Sequence, residues 1–243
     1  MNEQNKRRGE VASGKTIGEL VAADYRVAKV FEKYGIDFCC GGKIPLADVC
    51  RERRIDPVAI SREIEAAGSE PLEQSQNYAA WGLPFLADYI VNTHHAYLDE
   101  NMHKISAYAD KIAQVHGDMH PELIEIARIF AKIASDMVAH LREEEEVFFP
   151  AIKRIDAAAK AGTEPDAGDR ETLKICLAKL DQEHEEIGDA VHTIRDLSSN
   201  YSIPGDVCNT YMLAYRMLKK FEDDLHKHVH LENNILFPKT AQL

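Results

Sequence analysis

The feature that most constrains the fold is a short segment that occurs twice. HLREEEEVFFP at 140–150 and HVHLENNILFP at 228–238 share a His, a Glu four residues later and a closing Phe-Pro, and little else. Residues four apart lie on the same face of an α-helix, so each copy presents an imidazole and a carboxylate side by side. The repeat therefore predicts two helices that were duplicated together with their polar pair.

The duplicated pairs interrupt apolar stripes. In both helices the stripe positions recur at spacings of four and three residues, and the His and Glu occupy two of them: Ile133, Met137, His140, Glu144 and Val147 in one, and Phe221, Leu225, His228, Glu232 and Ile235 in the other. Such a stripe faces the core, where an uncompensated carboxylate would cost several kcal/mol. A positive charge is therefore predicted close to both Glu residues.

Two further stripes each contain one His. The members are Val91, His95, Leu98, Met102 and Ile105 in the earlier stripe, and Leu180, His184, Ile187, Val191 and Ile194 in the later one. His95 precedes His140 by 45 residues, and His184 precedes His228 by 44. The spacing predicts an internal duplication of a helical hairpin that carries one His and one His-x-x-x-Glu.

The fold class follows from these stripes. Four long amphipathic segments are separated by short polar loops: 85–115, 121–155, 170–198 and 206–236. No segment has the alternation of a strand, so an all-α, up-down-up-down four-helix bundle over 85–243 is predicted.

A smaller helical unit is predicted ahead of the bundle. Residues 1–14 are polar and are expected to be disordered, 15–67 to form a small helical module, and 68–84 to form a linker rich in helix-breaking residues. Within the module, one helix is expected from Thr16 to Tyr34 with Gly35 as its C-cap, a second from Pro45, and a third that starts with Asp56 as N-cap.

Four core His and two core Glu predict a two-metal site. Side chains from facing helices can converge in a bundle core, and each Glu can bridge two ions while a pair of His completes each ion. Imidazole and carboxylate ligands without thiolate favour iron, with manganese or zinc as alternatives. Six side chains would leave coordination positions open for chemistry. A single His on an apolar face is usually a hydrogen-bonded core residue, but four with two carboxylates at duplicated spacing have no such explanation.

Other His and Glu residues fit the pattern less well. His226 and His230 share a face with polar residues and are expected in solvent, whereas His94, beside His95, is expected to support a ligand. Of the acidic run 143–146, only Glu144 lies in a stripe. Four other histidines are expected at the surface or in loops: His103, His116, His120 and His192.

Composition excludes several classes of partner. The formal net charge is −12, which argues against binding to nucleic acid or to an anionic membrane. No apolar run follows the KRR at 6–8 and no stretch could span a bilayer, so a cytoplasmic protein is expected. Five cysteines, three of them scattered, do not form a disulfide framework.

Cys39 and Cys40 are adjacent and are followed by two glycines. They precede a predicted helix N-terminus, which lowers the pKa of a nearby thiol and favours the thiolate. Redox or metal-transfer chemistry is predicted for them; the alternative is a small buried cysteine in a glycine turn. The remaining three, Cys50, Cys176 and Cys208, are expected to be structural.

Together these motifs resemble a known family. The His-His at 94–95, the two duplicated segments and EHEEIG at 183–188 are similar to the hemerythrin-like domain of the iron-sulfur cluster repair di-iron proteins, the RIC or ScdA/YtfE group. The segment TIGELVAADYRVAKVFEKYGIDFCCGGK at 16–43 resembles that family's small N-terminal domain. The resemblance covers almost the whole chain from Thr16.

The resemblance implies a non-haem di-iron protein that helps to restore iron-sulfur clusters after oxidative or nitrosative stress. It implies six iron ligands: His95, His140, Glu144, His184, His228 and Glu232. Partners would be proteins with damaged clusters, with nitric oxide or oxygen species as small ligands, and a homodimer is left open. The alternatives are a di-iron nitric oxide reductase and an oxygen carrier or sensor. Gly188 stands where the carriers have a further His, which disfavours carriage.

Overall fold

The structure is a computed structural model that describes residues 14–69, 77–205 and 207–242. The described residues form helices and turns, and their only β-type pairing is one isolated bridge between Thr16 and Pro45. The predicted all-α class is confirmed. The predicted disordered segment 1–14 falls outside the described residues except for Gly14, as do residues 70–76 of the predicted linker.

Contacts divide the chain into two compact units, one formed by Met1–Gly82 with Val229–Gln242 and the other by Leu83–His228. The first unit contains the small N-terminal helices. They are α1 (Ile17–Ala23), α2 (Ala28–Lys33), α3 (Leu46–Glu52) and α4 (Pro57–Ala67), with short 3₁₀ turns at Tyr25–Val27, Gly41–Lys43 and Tyr78–Ala80.

The capping signals account for most of these boundaries. Thr16 and Glu19 form a reciprocal capping box at the start of α1, and the Asp56 side chain accepts from the backbone of Val58 at the start of α4. Gly35 has φ +64°, as the predicted C-cap requires.

The single helix predicted from Thr16 to Tyr34 is wrong, because the chain breaks between α1 and α2 at Asp24. The Asp24 backbone is extended, and its side chain accepts from the backbone of Arg26, 3.1 Å away. A short Asp side chain that bonds its own backbone two residues on competes with the helix, and periodicity does not detect that competition.

The second unit contains the predicted bundle helices. They are α5 (Leu83–Ile90), α6 (Ala96–His116), α7 (Glu122–Glu143), α8 (Phe149–Ala161), α9 (Ala167–Leu197) and α10 (Asn209–Leu231), of which the last three residues belong to the first unit together with α11 (Phe237–Thr240). Within the bundle, α7 packs against both α6 and α9. Phe130 on α7 meets Phe221 on α10 edge to face, with ring centroids 5.0 Å apart.

Three π-helical turns join these helices into longer rods. Val91–His95 links α5 to α6, Glu144–Phe148 links α7 to α8, and Glu232–Leu236 links α10 to α11. A π turn adds one residue to the ladder and is frequent at functional sites. The turn at Glu144–Phe148 makes the predicted stripe wrong at Val147, which is 42% exposed, and Phe148 is buried in its place.

None of the helices in the described part of the chain is both long enough and apolar enough to cross a membrane.

Candidate metal centre

Five of the six predicted ligands come together in the core of the bundle unit. His95 ends the first π turn, Glu144 begins the second, and the other three lie on α7, α9 and α10: His140, His184 and His228. All five side chains are buried, with at most 2% of each residue exposed. Four separate helical rods therefore each place at least one imidazole at the same level of the core.

The four imidazoles form two pairs. His95 Nε2 lies 3.2 Å from His228 Nε2, and His184 Nε2 lies 3.1 Å from His140 Nε2. Two nitrogens that bind the same ion, each about 2.1 Å from it and roughly at right angles to one another, are about 3 Å apart. Each pair thus has the spacing of two neighbouring ligands on a single ion.

Glu144 lies next to both pairs. Its Oε2 is 3.3 Å from His95 Nε2 and 3.5 Å from His140 Nε2. The residue is completely buried, and neither carboxylate oxygen has a hydrogen bond of good geometry to the described residues. A buried carboxylate without hydrogen bonds is expensive, so this position fits a group that accepts a cation.

The outer ring nitrogens are held by two further carboxylates. Glu145 Oε1 is 2.8 Å from His95 Nδ1, and Glu183 Oε2 is 2.8 Å from His140 Nδ1. Carboxylates at this position fix the imidazole orientation, direct Nε2 toward the centre and increase the basicity of the ligand. The sequence prediction missed both residues and treated Glu145 as part of a solvated run. Each is adjacent in sequence to a candidate ligand, but so are Glu143 and Glu185, so adjacency alone does not single them out.

The electrostatics suit a cation site. Burial alone would raise the pKa of Glu144, but His140 and His95 outweigh burial and hold that pKa at about 2. Burial lowers the pKa of His140, yet Glu144 and Glu183 produce a net rise. Burial, together with neighbouring His95, lowers the pKa of His228 well below its usual value. Glu144 and His228 are thus held in the ionised and neutral forms that bind metals. The rise at His140 favours its protonated form, and the carboxylates that cause this rise would equally attract a metal cation in place of the proton.

The donor set fits one or more divalent metal ions. The ligand atoms of His95, Glu144 and His228 all lie within 4.8 Å of one another, and so do those of His140, Glu144 and His184. Glu144 belongs to both groups. Nitrogen and oxygen donors without sulfur are compatible with iron, manganese or zinc.

Glu232, the sixth predicted ligand, belongs to the other unit and follows His228 by four residues along the same helical rod. It is completely buried and begins the third π turn, as Glu144 begins the second. Its sequence offset, burial and local backbone thus repeat those of Glu144.

Two histidines are not where the sequence analysis expected them. His226 and His230 were predicted to lie in solvent, but His226 is 8% exposed and His230 is fully buried. The ring of His192 lies 5.7 Å from that of His226, and Tyr25 lies 5.4 Å from His230 within the first unit. The prediction is wrong because it assumed that only the apolar face of α10 is buried, whereas this helix is covered on more than one side.

His94, the predicted supporting residue, is also buried. Its Nδ1 lies 3.1 Å from Asp224 Oδ1, and its ring is stacked on that of His228, 5.8 Å away. It thus contacts one of the five core residues directly, and its role in supporting that residue stays a prediction.

The cysteine pair lies in the first unit. Cys39 is buried and Cys40 is half-buried, with their sulfur atoms 3.8 Å apart and Asp37 Oδ1 3.1 Å from Cys39 Sγ. The predicted lowering of the thiol pKa is wrong for Cys39. The hydrogen bond with Cys40, burial and the negative charge of Asp37 raise the pKa of Cys39 well above its usual value. A redox or transfer role for the pair stays a prediction.

Comparisons with known proteins match both parts of the chain. Residues 86–240 match the hemerythrin HHE cation binding domain, and residues 13–68 match ScdA_N, a domain of unknown function (DUF542). The iron-sulfur cluster repair protein ScdA of Staphylococcus haemolyticus is 30% identical over 223 residues, which are 92% of this chain and 96% of that protein. The iron-sulfur cluster repair protein YtfE of Musicola paradisiaca is 29% identical over 94% of this chain and 96% of its own length, and YtfE of Yersinia pseudotuberculosis is 28% identical over 93% and 96%. The chain therefore belongs to the ScdA/YtfE family, in which an ScdA_N domain precedes a hemerythrin HHE cation binding domain.

Proposed function

We propose that this protein repairs iron-sulfur clusters damaged by oxidative or nitrosative stress, and that it uses a non-haem di-iron centre in the bundle. The observation that carries the proposal is the buried arrangement of two imidazole pairs around Glu144. Similarity to proteins named for cluster repair extends over more than nine-tenths of the chain, which supports the same activity here.

The imidazole pairs support a stoichiometry of two ions. One ion would be held by His95 and His228 and the other by His140 and His184, since each pair has the spacing of adjacent ligands. Glu144 belongs to both groups and would bridge them.

Glu232 is proposed as the second bridging carboxylate. It has the same four-residue offset from His228 that Glu144 has from His140, the same complete burial, and the same place at the start of a π turn. A burial so complete requires compensation of charge, and two bridging carboxylates would share the charge of two divalent ions evenly.

Iron is the metal that best matches the proposed activity. Imidazole and carboxylate donors suit it, and six side chains for two ions leave coordination positions open. When bound, iron supplies redox chemistry and exchangeable coordination. The chain's own residues orient the imidazoles: Glu145 and Glu183 hold His95 and His140 through Nδ1, and Phe149 stacks on His95 with ring centroids 5.7 Å apart, which excludes water from that side.

The proposed partners are proteins whose clusters have lost activity. With a net charge of −12, the chain has no general electrostatic attraction to acidic partners, so recognition would rest on local surfaces. Cys39 and Cys40 are proposed to take part in transfer in the first unit. The raised pKa of Cys39 implies that this thiol must be activated by the incoming metal or cluster before it can act as a thiolate.

The test is recovery of a damaged cluster enzyme. A dehydratase with a [4Fe-4S] cluster is inactivated with peroxide or a nitric oxide donor and then incubated with the iron-loaded, full-length protein, and its regained activity is followed with time. We expect recovery with the wild type and its loss with Glu144→Gln. Glu146→Gln is the matched control, because Glu146 lies in the same acidic run but its side chain is 60% exposed and pairs with Arg142.

Free ferrous iron with a chelator present sets the background rate, and circular dichroism of Glu144→Gln verifies that its helices remain. Recovery no faster than this background with the wild type would refute the proposal. Equal recovery with wild type and a folded Glu144→Gln would show that the buried centre does not take part.

A further inference from the structure

Cys208 lies in an environment that differs from those of the other cysteines. It is exposed, whereas Cys50 and Cys176 are buried as expected for structural residues, so the structural role predicted for Cys208 does not match its position. It directly precedes α10, and its carbonyl accepts the first backbone hydrogen bond of that helix, from Met212 at 3.2 Å. Cys208 therefore occupies the N-cap position of a 23-residue helix.

Three donors converge on the Cys208 sulfur. His116 Nε2 lies 3.2 Å from Sγ, and the backbone amides of Tyr211 and Thr210 in the first turn of α10 also bond to it. Backbone N–H groups and the partial positive charge of a helix N-terminus stabilise a thiolate. The hydrogen bond from His116 and these amides lower the pKa of Cys208 to about 7. In contrast, burial raises the pKa of Cys176.

A cavity of about 220 Å³ opens beside this thiol. Its lining combines an apolar wall, one cation, the imidazole and the sulfur, and the lining residues are Lys111, Ile112, Val115, His116, Cys208 and Thr210. None of these is acidic. The volume suits a small organic molecule, and Lys111 provides a counter-charge for a carboxylate beside the nucleophile.

The groups around the thiol come from two helices and the loop between α6 and α7. His116 and Lys111 lie on α6, and His120 lies in the loop, where its ring is 6.5 Å from that of His116 and 5.6 Å from that of Tyr211. His116 is 21 residues after His95, which at 1.5 Å per residue places it about 30 Å along the bundle. The thiol is thus remote from the candidate metal centre.

We propose that Cys208 is a reactive thiol that forms mixed disulfides with small anionic disulfides bound in this cavity. The thiolate attacks one sulfur of the incoming disulfide, and a new bond forms between Cys208 and that half of the molecule. The old sulfur–sulfur bond breaks, and the other half leaves as a thiolate with the electron pair. The small disulfide is the oxidant, so the exchange needs no further reactant, and the proton lost by Cys208 passes to His116 or to solvent.

The exchange can be measured with 5,5′-dithiobis(2-nitrobenzoate), an anionic disulfide. The metal-loaded, full-length protein is reacted with the probe at a series of pH values, quenched and digested, and the adduct on each cysteine is quantified by peptide mass spectrometry. We expect the rate at Cys208 to have its midpoint near pH 7, while Cys176 in the same sample stays unmodified. The midpoint is the decisive quantity, since a lower pKa also lowers the intrinsic nucleophilicity of the thiolate and compresses the gain in rate at one pH.

Two substitutions separate the contributions. His116→Gln is expected to move the midpoint upward by at least about one pH unit, toward the value near 8.5 of an ordinary thiol. His120→Gln is the matched control and is expected to leave the midpoint within about 0.3 unit. Lys111→Gln is expected to slow the reaction of the anionic probe about threefold while leaving neutral 4,4′-dithiodipyridine unaffected, because the charge acts on the probe and not on the thiol.

The proposal would be overturned by any of three results. The first is that Cys208 reacts in the native protein with the same midpoint pH as in the urea-denatured protein. The second is that His116→Gln shifts this midpoint no more than His120→Gln does. The third is that Lys111→Gln slows the reactions of both probes equally. Iron content is measured on the same samples, so loss of the metal centre is distinguished from loss of the thiol's reactivity.

Discussion

Replacement of Glu183 by Gln should weaken the binding of one metal ion and leave the other unchanged. Glu183 Oε2 accepts a hydrogen bond from His140 Nδ1 at 2.8 Å, and it orients that imidazole toward its partner His184. Gln keeps an oxygen that can accept the same bond but removes the negative charge. The variant therefore tests the contribution of the negative charge of Glu183, while an acceptor for His140 Nδ1 stays in place.

The magnitude follows from the type of hydrogen bond that is lost. A bond to a charged group contributes about 1.5–3 kcal/mol, and a neutral one about 0.5–1.5 kcal/mol. The Glu183 side chain is 30% exposed and also lies 3.6 Å from Lys179, so solvent and this second ion pair screen it, and the middle of the difference applies and not its upper end. A loss of about 1.4 kcal/mol corresponds to about tenfold weaker binding. Glu183→Ala, which removes the acceptor, should approach 100-fold.

The assay is an anaerobic competition titration of ferrous iron between the protein and a fluorescent chelator. If each imidazole pair holds its own ion, Glu183→Gln should give one step at the wild-type position and one step about tenfold weaker. Glu185→Gln is the matched control, because Glu185 is an exposed carboxylate two residues away on the same helix. Its titration should coincide with that of the wild type.

The equivalent change on the other pair gives an internal comparison. Glu145 Oε1 holds His95 Nδ1 at the same 2.8 Å, but its side chain is 44% exposed, so Glu145→Gln should weaken its ion less, about threefold. The reasoning is refuted if Glu183→Gln titrates like Glu185→Gln, or if it weakens both steps equally, since the two pairs would then not bind separate ions.

Three further predictions concern the centre and the small module. Elemental analysis of protein from iron-replete cultures should give about two irons per chain, and a sharp fall in both Glu144→Ala and Glu232→Ala. The pKa of Glu144 is held at about 2, below an unfolded value near 4.3. A carboxylate whose pKa is lower in the folded state stabilises the fold above its unfolded pKa and loses that contribution as the pH falls through its folded pKa. Urea unfolding of the metal-free protein should therefore show a loss of about 3 kcal/mol between pH 5 and pH 2, and Glu144→Gln should lack this part. Gly18→Ala should lower the free energy of unfolding by about 1–3 kcal/mol, because the added methyl overlaps the Asn234 side chain, whose Nδ2 donates to a backbone carbonyl 2.9 Å away; Gly14→Ala, where the new methyl meets nothing, should have no effect.

The core of the site could be predicted because its residues break a strong pattern. A His or Glu in an otherwise apolar stripe is conspicuous, and His95, His140, Glu144, His184 and His228 were all found in this way. The all-α class followed from the same stripes. Burying a titratable group costs free energy, so a His or Glu at a core position indicates a functional site more strongly than one at the surface does.

The supporting residues could not be predicted by the same argument. Glu183 and Glu145 are adjacent in sequence to candidate ligands, but their side chains are partly exposed and lie among many other acidic residues. Nothing in their spacing separates them from Glu185 or Glu146, because a residue on the half-exposed side of a helix can reach inward or outward according to its rotamer. Only the distances to the outer imidazole nitrogens identify them. The break at Asp24 could not be predicted for a related reason, since a local hydrogen bond from the backbone to a side chain leaves the helical periodicity of the sequence intact.

The π turn that begins at Glu144 explains why the predicted stripe holds as far as that residue and fails directly after it. An α-helical stripe that passes through His140 and Glu144 continues to position 147, yet Val147 is exposed and Phe148 is buried, because the wider turn adds one residue. The turn therefore lets the carboxylate face the centre while the apolar residues beyond it return to the core one position later. Glu232 begins a turn of the same kind, but there the predicted stripe residue Ile235 is buried together with Leu236. The duplication thus preserves a backbone irregularity together with the His and Glu. Such an irregularity has little reason to persist in two copies unless the orientation of the carboxylate depends on it.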